Sequence, residues 1–282
     1  MLYSKSTKLN VLFLAMLCSS IILPLFLRGF LKGLNTYALL GVSQLLMQGP
    51  VIIYLIVTKT NPFKLISFKL FNPLAIITVV LMTVCLMPLT ATINMISMLF
   101  VENALSDVTV EVVASSGWLN LLFLAVIPAI SEEFAFRGVF YHTLKDKGIV
   151  FAAFFSALFF GMMHLNFNQL SYTLVIGIAM ALTVYATGSI LASMIVHFVF
   201  NSYSVIMMSL LNWLIAKGGG EVNQIMTEAL QESSTVDTGS IILGIMLVGF
   251  VALIMLIPAT GLFMSTAVIC RREFAIKDIR ED

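Results

Sequence analysis

Long apolar stretches separated by short polar segments dominate this chain. An apolar run of about 20 residues is long enough to cross the hydrocarbon core of a bilayer as a helix. The pattern predicts eight membrane-spanning helices, at residues 9–28, 37–58, 73–100, 118–143, 148–164, 169–187, 189–213 and 240–268. The expected fold is therefore an all-α, polytopic membrane helix bundle that forms a single domain over residues 1–282.

The composition agrees with a membrane protein. Hydrophobic residues make up 60% of the chain and charged residues only 10%, whereas about 25% of the residues in soluble domains are charged. The formal net charge of +1 lacks the basic excess typical of nucleic-acid-binding proteins. Cys18, Cys85 and Cys270 lie in apolar segments without paired spacing, which indicates neither disulfides nor a zinc knuckle. We expect a multi-pass protein of the cell membrane, surrounded by the lipid bilayer and without a nucleic-acid partner.

The basic residues predict how the helices cross the membrane. Cytoplasmic loops carry an excess of Lys and Arg. With eight spans and a cytoplasmic N-terminus, eleven basic residues fall on the cytoplasmic side, three fall outside, and Arg137 lies within the membrane. The outer loops instead carry acidic residues such as Glu102 and Glu221. The N- and C-termini are therefore both predicted to be cytoplasmic.

Ionisable side chains occur deep inside only three of the predicted spans. Glu132, Glu133 and Arg137 lie in the fourth span, His164 closes the fifth, and His197 lies in the seventh. A charged side chain at the centre of a membrane helix costs roughly 2.5–3.5 kcal/mol on insertion scales, so its presence indicates function or tight pairing. We expect these three helices to build one site.

The spacing along the fourth span divides its charged residues into two groups. Residues four apart share a helix face, so Glu133 and Arg137 are expected to form a buried ion pair that neutralises itself and ties helices together. Glu132 points about 100° away from Glu133 and has no obvious local partner. It is therefore the candidate general base.

The two histidines are more informative together than singly. A lone His in a membrane helix often serves only as a hydrogen bonder between helices. An unpaired Glu132 with His164 and His197, however, is the composition expected for activating a water molecule and stabilising the oxyanion that it creates. Asn201 lies one turn beyond His197 and supplies amide donors on the same face, although Asn can also serve as a packing hydrogen bonder.

Three short motifs resemble those of a known family. Glu-Glu-x-x-x-Arg at 132–137, Phe-x-x-x-His at 160–164 and His-x-x-x-Asn at 197–201 are similar, in order and separation, to the motifs of the CAAX prenyl endopeptidase and bacteriocin-processing (CPBP) intramembrane proteases, also called the Abi family. The resemblance covers roughly residues 118–205. The earlier and later spans match only in being part of an eight-helix membrane protein.

The resemblance implies roles for individual residues. Glu132 and His164 would polarise the attacking water, and His197 with Asn201 would hold the scissile carbonyl oxygen. The remaining motif residues would have supporting roles, as a structural pair (Glu133 and Arg137) and as a pocket-lining or packing side chain (Phe160).

The resemblance implies an intramembrane endopeptidase that acts on a hydrophobic, lipidated or membrane-associated peptide or protein. Family members in eukaryotes remove the last three residues of prenylated CAAX proteins, whereas bacterial members are linked to peptide processing or export and to bacteriocin self-immunity. A non-catalytic bacteriocin-immunity or peptide-binding membrane protein is an alternative. A proton-coupled transporter is less favoured, because the first three spans carry no deep ionisable residue. The substrate and the oligomeric state do not follow from the sequence.

Two readings of metal use are open. Glu132, His164 and His197 with a water molecule would be an acceptable catalytic zinc set, although the H-E-x-x-H helix signature is absent. His197 and Asn201 on one face instead suggest paired hydrogen-bond donors, because Asn is a poor zinc ligand. A mechanism without a cofactor is favoured, with a divalent metal such as zinc as the alternative.

Overall fold

The structure, a computed structural model, describes residues 5–101, 117–217 and 238–281, and this part of the chain is helical. Short helical turns at Arg28–Leu31 and Pro62–Leu65 accompany the main helices. The main helices are α1 (Lys5–Phe26), α2 (Thr36–Val57), α3 (Pro73–Met98), α4 (Gly117–Lys147), α5 (Ile149–Met162), α6 (Phe167–Thr187), α7 (Ile190–Lys217) and α8 (Thr238–Glu281).

The predicted membrane bundle is confirmed. Seven helices of the described chain are long and apolar enough to cross a membrane, and α5 is a shorter apolar helix of 14 residues. Each of the eight predicted spans therefore corresponds to a helix. Large apolar side chains cover the outer surface of α8, as at Phe250 and Ile257, which is the composition that contact with lipid requires. The acidic loop residues Glu102 and Glu221 lie outside the described residues.

One predicted boundary is wrong. The fifth span was expected to reach His164, but α5 ends at Met162 and His164 lies in the turn that leads to α6. The cause is local. Leu165 takes a left-handed φ of 52°, and the Asn166 side chain accepts hydrogen bonds from the first backbone N–H groups of α6. The chain therefore reverses just after His164, at the edge of the site.

Helix α4 is irregular around its acidic pair. Its α-helical segment Ile127–Glu133 lies between two π-helical segments, Leu121–Val126 and Phe134–Tyr141. Pro128 contributes to the first irregularity, because it has no N–H to bond the carbonyl of Leu124 four residues earlier. Short π-helical segments are frequent at functional sites. Glu132 and Glu133 thus end the regular segment of α4.

Two apolar clusters enclose the central helices. One joins α1, α2, α4, α5 and α6 and includes Phe136 and Phe140, both 0% exposed. The other joins α3, α6, α7 and α8 around Met180 and Val196. The outer pair α3 and α8 is also linked by a 2.7 Å hydrogen bond between the hydroxyls of Thr78 and Thr266. The polar residues of α4 and α7 consequently lie between two packed layers, in a setting where an unpaired polar group is costly.

Candidate active site

Glu133 and Arg137 form a fully buried ion pair. Arg137 Nη1 donates to Glu133 Oε1 at 2.8 Å, and both side chains are 0% exposed. Arg137 Nη2 donates to the carbonyl of Gly177 at 2.9 Å, which links α4 to α6. The guanidinium carbon also lies 4.7 Å from the ring centre of Phe160 on α5. One Arg side chain therefore joins three helices.

Gly177 allows this close approach. A Cβ atom at this position would lie 3.0 Å from Arg137 Nη2 and 2.8 Å from the Cβ of Ala157. Both distances are shorter than ordinary van der Waals contacts. The absence of a side chain at Gly177 therefore lets α6 approach both the guanidinium of α4 and the backbone of α5.

His197 lies between the two carboxylates of α4. Its Nδ1 is 3.0 Å from Glu133 Oε1, and its Nε2 is 3.8 Å from Glu132 Oε2. Because the Glu133 carboxylate also accepts from Arg137, we assign the hydrogen of the shorter contact to His197 Nδ1. Glu133 therefore orients His197 in addition to binding Arg137. The sequence had predicted only the second role.

Glu132 is the accessible member of the acidic pair. Its side chain is 12% exposed, whereas that of Glu133 is 0% exposed. Glu132 Oε1 accepts a hydrogen bond from Gln44 Nε2 at 2.9 Å, and Oε2 faces His197. The 3.8 Å gap to His197 Nε2 is too long for a direct hydrogen bond. At this separation a single water molecule can contact both atoms.

Helix α2 supplies polar partners that the sequence reasoning missed. Ser131 Oγ donates to Gln44 Oε1 at 2.7 Å, and Gln48 Nε2 donates to the carbonyl of Ser131 at 2.8 Å. Farther along the same helix pair, the Tyr37 hydroxyl donates to Asn120 Oδ1 at 3.0 Å. A search for ionisable residues cannot find neutral amides. The available signal was the spacing of Tyr37, Gln44 and Gln48, which are seven and then four positions apart in a largely apolar helix.

His164 contacts Phe160, which in turn contacts His197. His164 Nδ1 is 3.0 Å from the Phe160 carbonyl, which can only accept, so a neutral His164 keeps the lone pair on Nε2. The Phe160 ring contacts both imidazoles, with ring centres 4.9 Å from His164 and 5.5 Å from His197. Phe160 is 2% exposed, and its ring packs against both imidazoles.

Asn201 makes a contact that the sequence did not indicate. Its Nδ2 donates to the carbonyl of Leu124 on α4 at 3.0 Å. This is the carbonyl four residues before Pro128, which cannot supply the usual backbone donor. Asn201 therefore gives one amide hydrogen to this carbonyl, and its second hydrogen is the one left for another acceptor.

The three candidate zinc ligands are not arranged as a metal site. Among the described residues, the structure contains no group of three or more His, Cys, Asp or Glu side chains that could hold a metal ion. The observed arrangement of Glu132, His164 and His197 thus does not fit a zinc ion.

The fold and the site define a multi-pass membrane protein with titratable residues enclosed by its helices. Residues 114–203 match the family described as type II CAAX prenyl endopeptidase Rce1-like. This match confirms the CAAX endopeptidase family that the three motifs suggested, for a segment that contains every motif residue. Neither the curated proteins nor the solved structures compared with the chain gave a match. Gln44 and Gln48 lie outside the matched segment.

Proposed function

We propose that the protein is an intramembrane endopeptidase that hydrolyses a peptide bond of a hydrophobic, lipidated or membrane-associated peptide or protein. The main support is the contrast between the two adjacent glutamates. Glu133 is fully buried and bound to Arg137 and His197, whereas Glu132 is partly exposed and turns Oε2 towards His197 Nε2. A general base must reach its water molecule, and Glu132 meets this condition. The family match over residues 114–203 supports the same activity.

In the proposed reaction, Glu132 Oε2 takes a proton from the attacking water while the water oxygen bonds to the scissile carbonyl carbon. His164 Nε2 is a second acceptor that orients this water. The carbonyl π bond breaks and leaves a negatively charged oxygen. Glu132 then returns the proton to the leaving nitrogen while the negatively charged oxygen re-forms the C=O bond and the C–N bond breaks, which regenerates the Glu132 carboxylate. Each step uses a group that this chain carries.

His197 and Asn201 are the proposed donors to the oxyanion. His197 already carries a hydrogen on Nδ1, directed at Glu133, so it donates from Nε2 in its imidazolium form. The Glu132 and Glu133 carboxylates together balance the charges of Arg137 and of that form. Asn201 contributes the amide hydrogen that the Leu124 carbonyl does not use. In a site shielded from water such donors stabilise the oxyanion more strongly than they would in bulk solvent.

The test compares variants of the purified, bilayer-reconstituted protein on a labelled library of hydrophobic peptides. The library includes peptides with a prenylated cysteine three residues from the C-terminus. Glu132→Gln should fold as the wild type does and cleave roughly 10²–10⁴-fold more slowly. Glu133→Gln should instead lower the yield of folded protein, because Arg137 loses its buried counter-charge.

The possible outcomes separate the candidate functions. Equal cleavage by the wild type and Glu132→Gln would contradict the proposed mechanism. A peptide-binding or immunity protein would retain library peptides without cleaving them, and Glu132→Gln would keep its activity in cells. Cleavage of the prenylated peptides alone would assign a CAAX-type substrate. Cleavage of unmodified peptides would indicate a broader substrate class.

A further inference from the structure

We propose that Gln44 is a positioning residue that holds the Glu132 carboxylate in the orientation needed for water activation. This inference rests on the proposed peptidase activity. Gln44 lies on α2, outside the segment 114–203 that matches the endopeptidase family. It nevertheless makes the one side-chain hydrogen bond to Glu132 among the described residues, from Nε2 to Oε1 at 2.9 Å. Helix α2 thus contributes to the site from outside the matched segment.

The orientation of the Gln44 amide is determined by the Glu132 carboxylate. Ser131 Oγ lies 2.7 Å from Gln44 Oε1 and 2.8 Å from the Ile127 carbonyl, so its one hydrogen has two acceptors. A reversed amide would place its NH₂ group against the Ser131 hydroxyl and its oxygen against the Glu132 carboxylate, where two acceptors would meet. Glu132 therefore selects the orientation in which the NH₂ group faces its carboxylate, and the amide oxygen then contacts Ser131 Oγ. Because Ser131 and Glu132 are adjacent in α4, the one side chain of Gln44 contacts both.

The hydrogen bond to Oε1 determines what Oε2 can do. With Oε1 bound to Gln44, Oε2 is the oxygen that faces His197 Nε2 across 3.8 Å. Without the amide donor the carboxylate group can rotate and leave this position. A catalytic group displaced by even about 1 Å can lose on the order of 10²-fold in rate. The expected effect of Gln44 is therefore on the chemical step rather than on substrate binding.

The two glutamates of α4 have partners of different charge. Glu133 is paired with the guanidinium of Arg137, and Glu132 with a neutral amide. A neutral amide orients the carboxylate through a hydrogen bond. Unlike a guanidinium, it adds no positive charge that would bind the carboxylate strongly. This difference in partners corresponds to the proposed division between a structural carboxylate and a reacting one.

Gln48 provides a matched control. It lies one turn beyond Gln44 on α2 and also donates from Nε2 to α4, but its acceptor is the backbone carbonyl of Ser131 at 2.8 Å. Gln44→Leu removes the hydrogen bonds with Glu132 and with Ser131, and Gln48→Leu removes the one to the Ser131 carbonyl. Only the first variant removes a donor from Glu132. A purely structural role would change the stability of each variant without lowering kcat more in Gln44→Leu than in Gln48→Leu.

The experiment measures kcat, KM and thermal unfolding of the full-length protein in bilayers, on a cleaved peptide from the library. Gln44→Leu should lower kcat roughly 10- to 100-fold with KM within about threefold. Gln48→Leu should lose similar thermal stability and keep kcat within about threefold.

Two results would overturn the inference. They are equal kcat values for Gln44→Leu and Gln48→Leu, and a change confined to KM. If Gln44→Leu does not fold, Ser131→Ala replaces it, because it releases the Gln44 amide while leaving Glu132 in place, and it should lower kcat. In any of these cases an inactive Glu132→Gln leaves the proposed function standing. A fully active Glu132→Gln removes the proposed function and this inference together.

Discussion

His197 Nδ1 contacts the same carboxylate oxygen of Glu133, Oε1, that accepts the hydrogen bond from Arg137. The distances are 3.0 Å to the imidazole and 2.8 Å to the guanidinium. One oxygen atom therefore connects the ion pair within α4 to the imidazole of α7. Glu133 should consequently affect both the free energy of unfolding of the protein and the orientation of the His197 ring.

The first prediction separates these two roles of Glu133. Arg137→Met leaves the Glu133 carboxylate buried without its main counter-charge, and we expect a loss of about 3–5 kcal/mol in the free energy of unfolding. The double variant Glu133→Gln/Arg137→Met removes both charges and should recover much of that loss. It should remain a poor peptidase, because His197 has lost its carboxylate. Unfolding in detergent and kcat measure the two effects, and a double variant with wild-type kcat would contradict the orienting role.

The second prediction concerns the close approach at Gly177. Gly177→Ala places a Cβ atom 3.0 Å from Arg137 Nη2, so α6 must shift or the guanidinium must move. Overpacking of this kind typically costs about 1–3 kcal/mol. Gly261→Ala on α8 is the control, because a Cβ atom there meets nothing within 4 Å. Thermal unfolding should show a lower melting temperature for Gly177→Ala alone, and equal melting temperatures would refute the prediction.

The third prediction assigns the Asn201 contact to Pro128. Asn201→Ala leaves the Leu124 carbonyl without its side-chain donor, which should cost about 1–3 kcal/mol if the carbonyl stays buried and unbonded. In a Pro128→Ala background the backbone N–H of residue 128 can bond that carbonyl instead. The cost of Asn201→Ala should then shrink in a double-variant cycle of unfolding free energies. An unchanged cost in both backgrounds would show that the proline is not the reason for this contact.

The same cycle tests the oxyanion role of Asn201. Restoring the helix backbone with Pro128→Ala should rescue the stability of Asn201→Ala but not its kcat, if the second amide hydrogen contacts the oxyanion. Recovery of both quantities would make Asn201 a purely structural residue.

The division of the acidic pair could be predicted from the sequence because it follows from local geometry. Adjacent helical residues point about 100° apart, and residues four apart share a face. Glu133 therefore had to meet Arg137, and Glu132 had to point elsewhere. The proximity of His197 to the acidic residues of α4 could also be predicted, since polar groups inside a membrane usually pair with one another. The bond between His197 and Glu133 could not, because it depends on how α7 is rotated against α4.

The contribution of α2 was missed for a different reason. Gln44 and Gln48 are uncharged, so their burial carries a smaller cost than that of Glu132 and gives a weaker signal. Their contacts with Glu132 and Ser131 depend on how α2 packs against α4, which the sequence of α2 alone does not specify. The position of His164 was missed because Asn166 caps the next helix and Leu165 turns the chain. Such cap and turn signals are short compared with a 20-residue hydropathy window.

The fourth prediction concerns metal dependence. Incubation of the purified protein with a strong zinc chelator, followed by removal of the chelator, should leave kcat unchanged, because the described His and carboxylate groups do not form a three-ligand set. The control is a zinc peptidase treated in parallel and reactivated with zinc. Loss of activity that is restored by added zinc would overturn this prediction and favour Glu132, His164 and His197 as ligands.

The fifth prediction concerns the orientation of the bundle in the membrane. Lys32 follows α1, and Lys147 lies in the turn between α4 and α5; both side chains are exposed. With both termini in the cytoplasm, three spans separate these positions, which places them on opposite sides. Cytoplasmic loops retain the larger share of basic residues, so Lys147 is expected inside and Lys32 outside.

Single cysteines at these two positions test the orientation, in a background where Cys18, Cys85 and Cys270 are replaced by Ala. A membrane-impermeant maleimide should label Lys32→Cys in intact cells and Lys147→Cys only after permeabilisation. The two variants remove the same charge, so each controls for the effect of the other on insertion. Labelling in the opposite order would invert the bundle and place the α4–α5 turn outside the cell. Labelling of both cysteines in intact cells would place both positions outside the cell, so that an even number of spans, rather than the predicted three, would separate them.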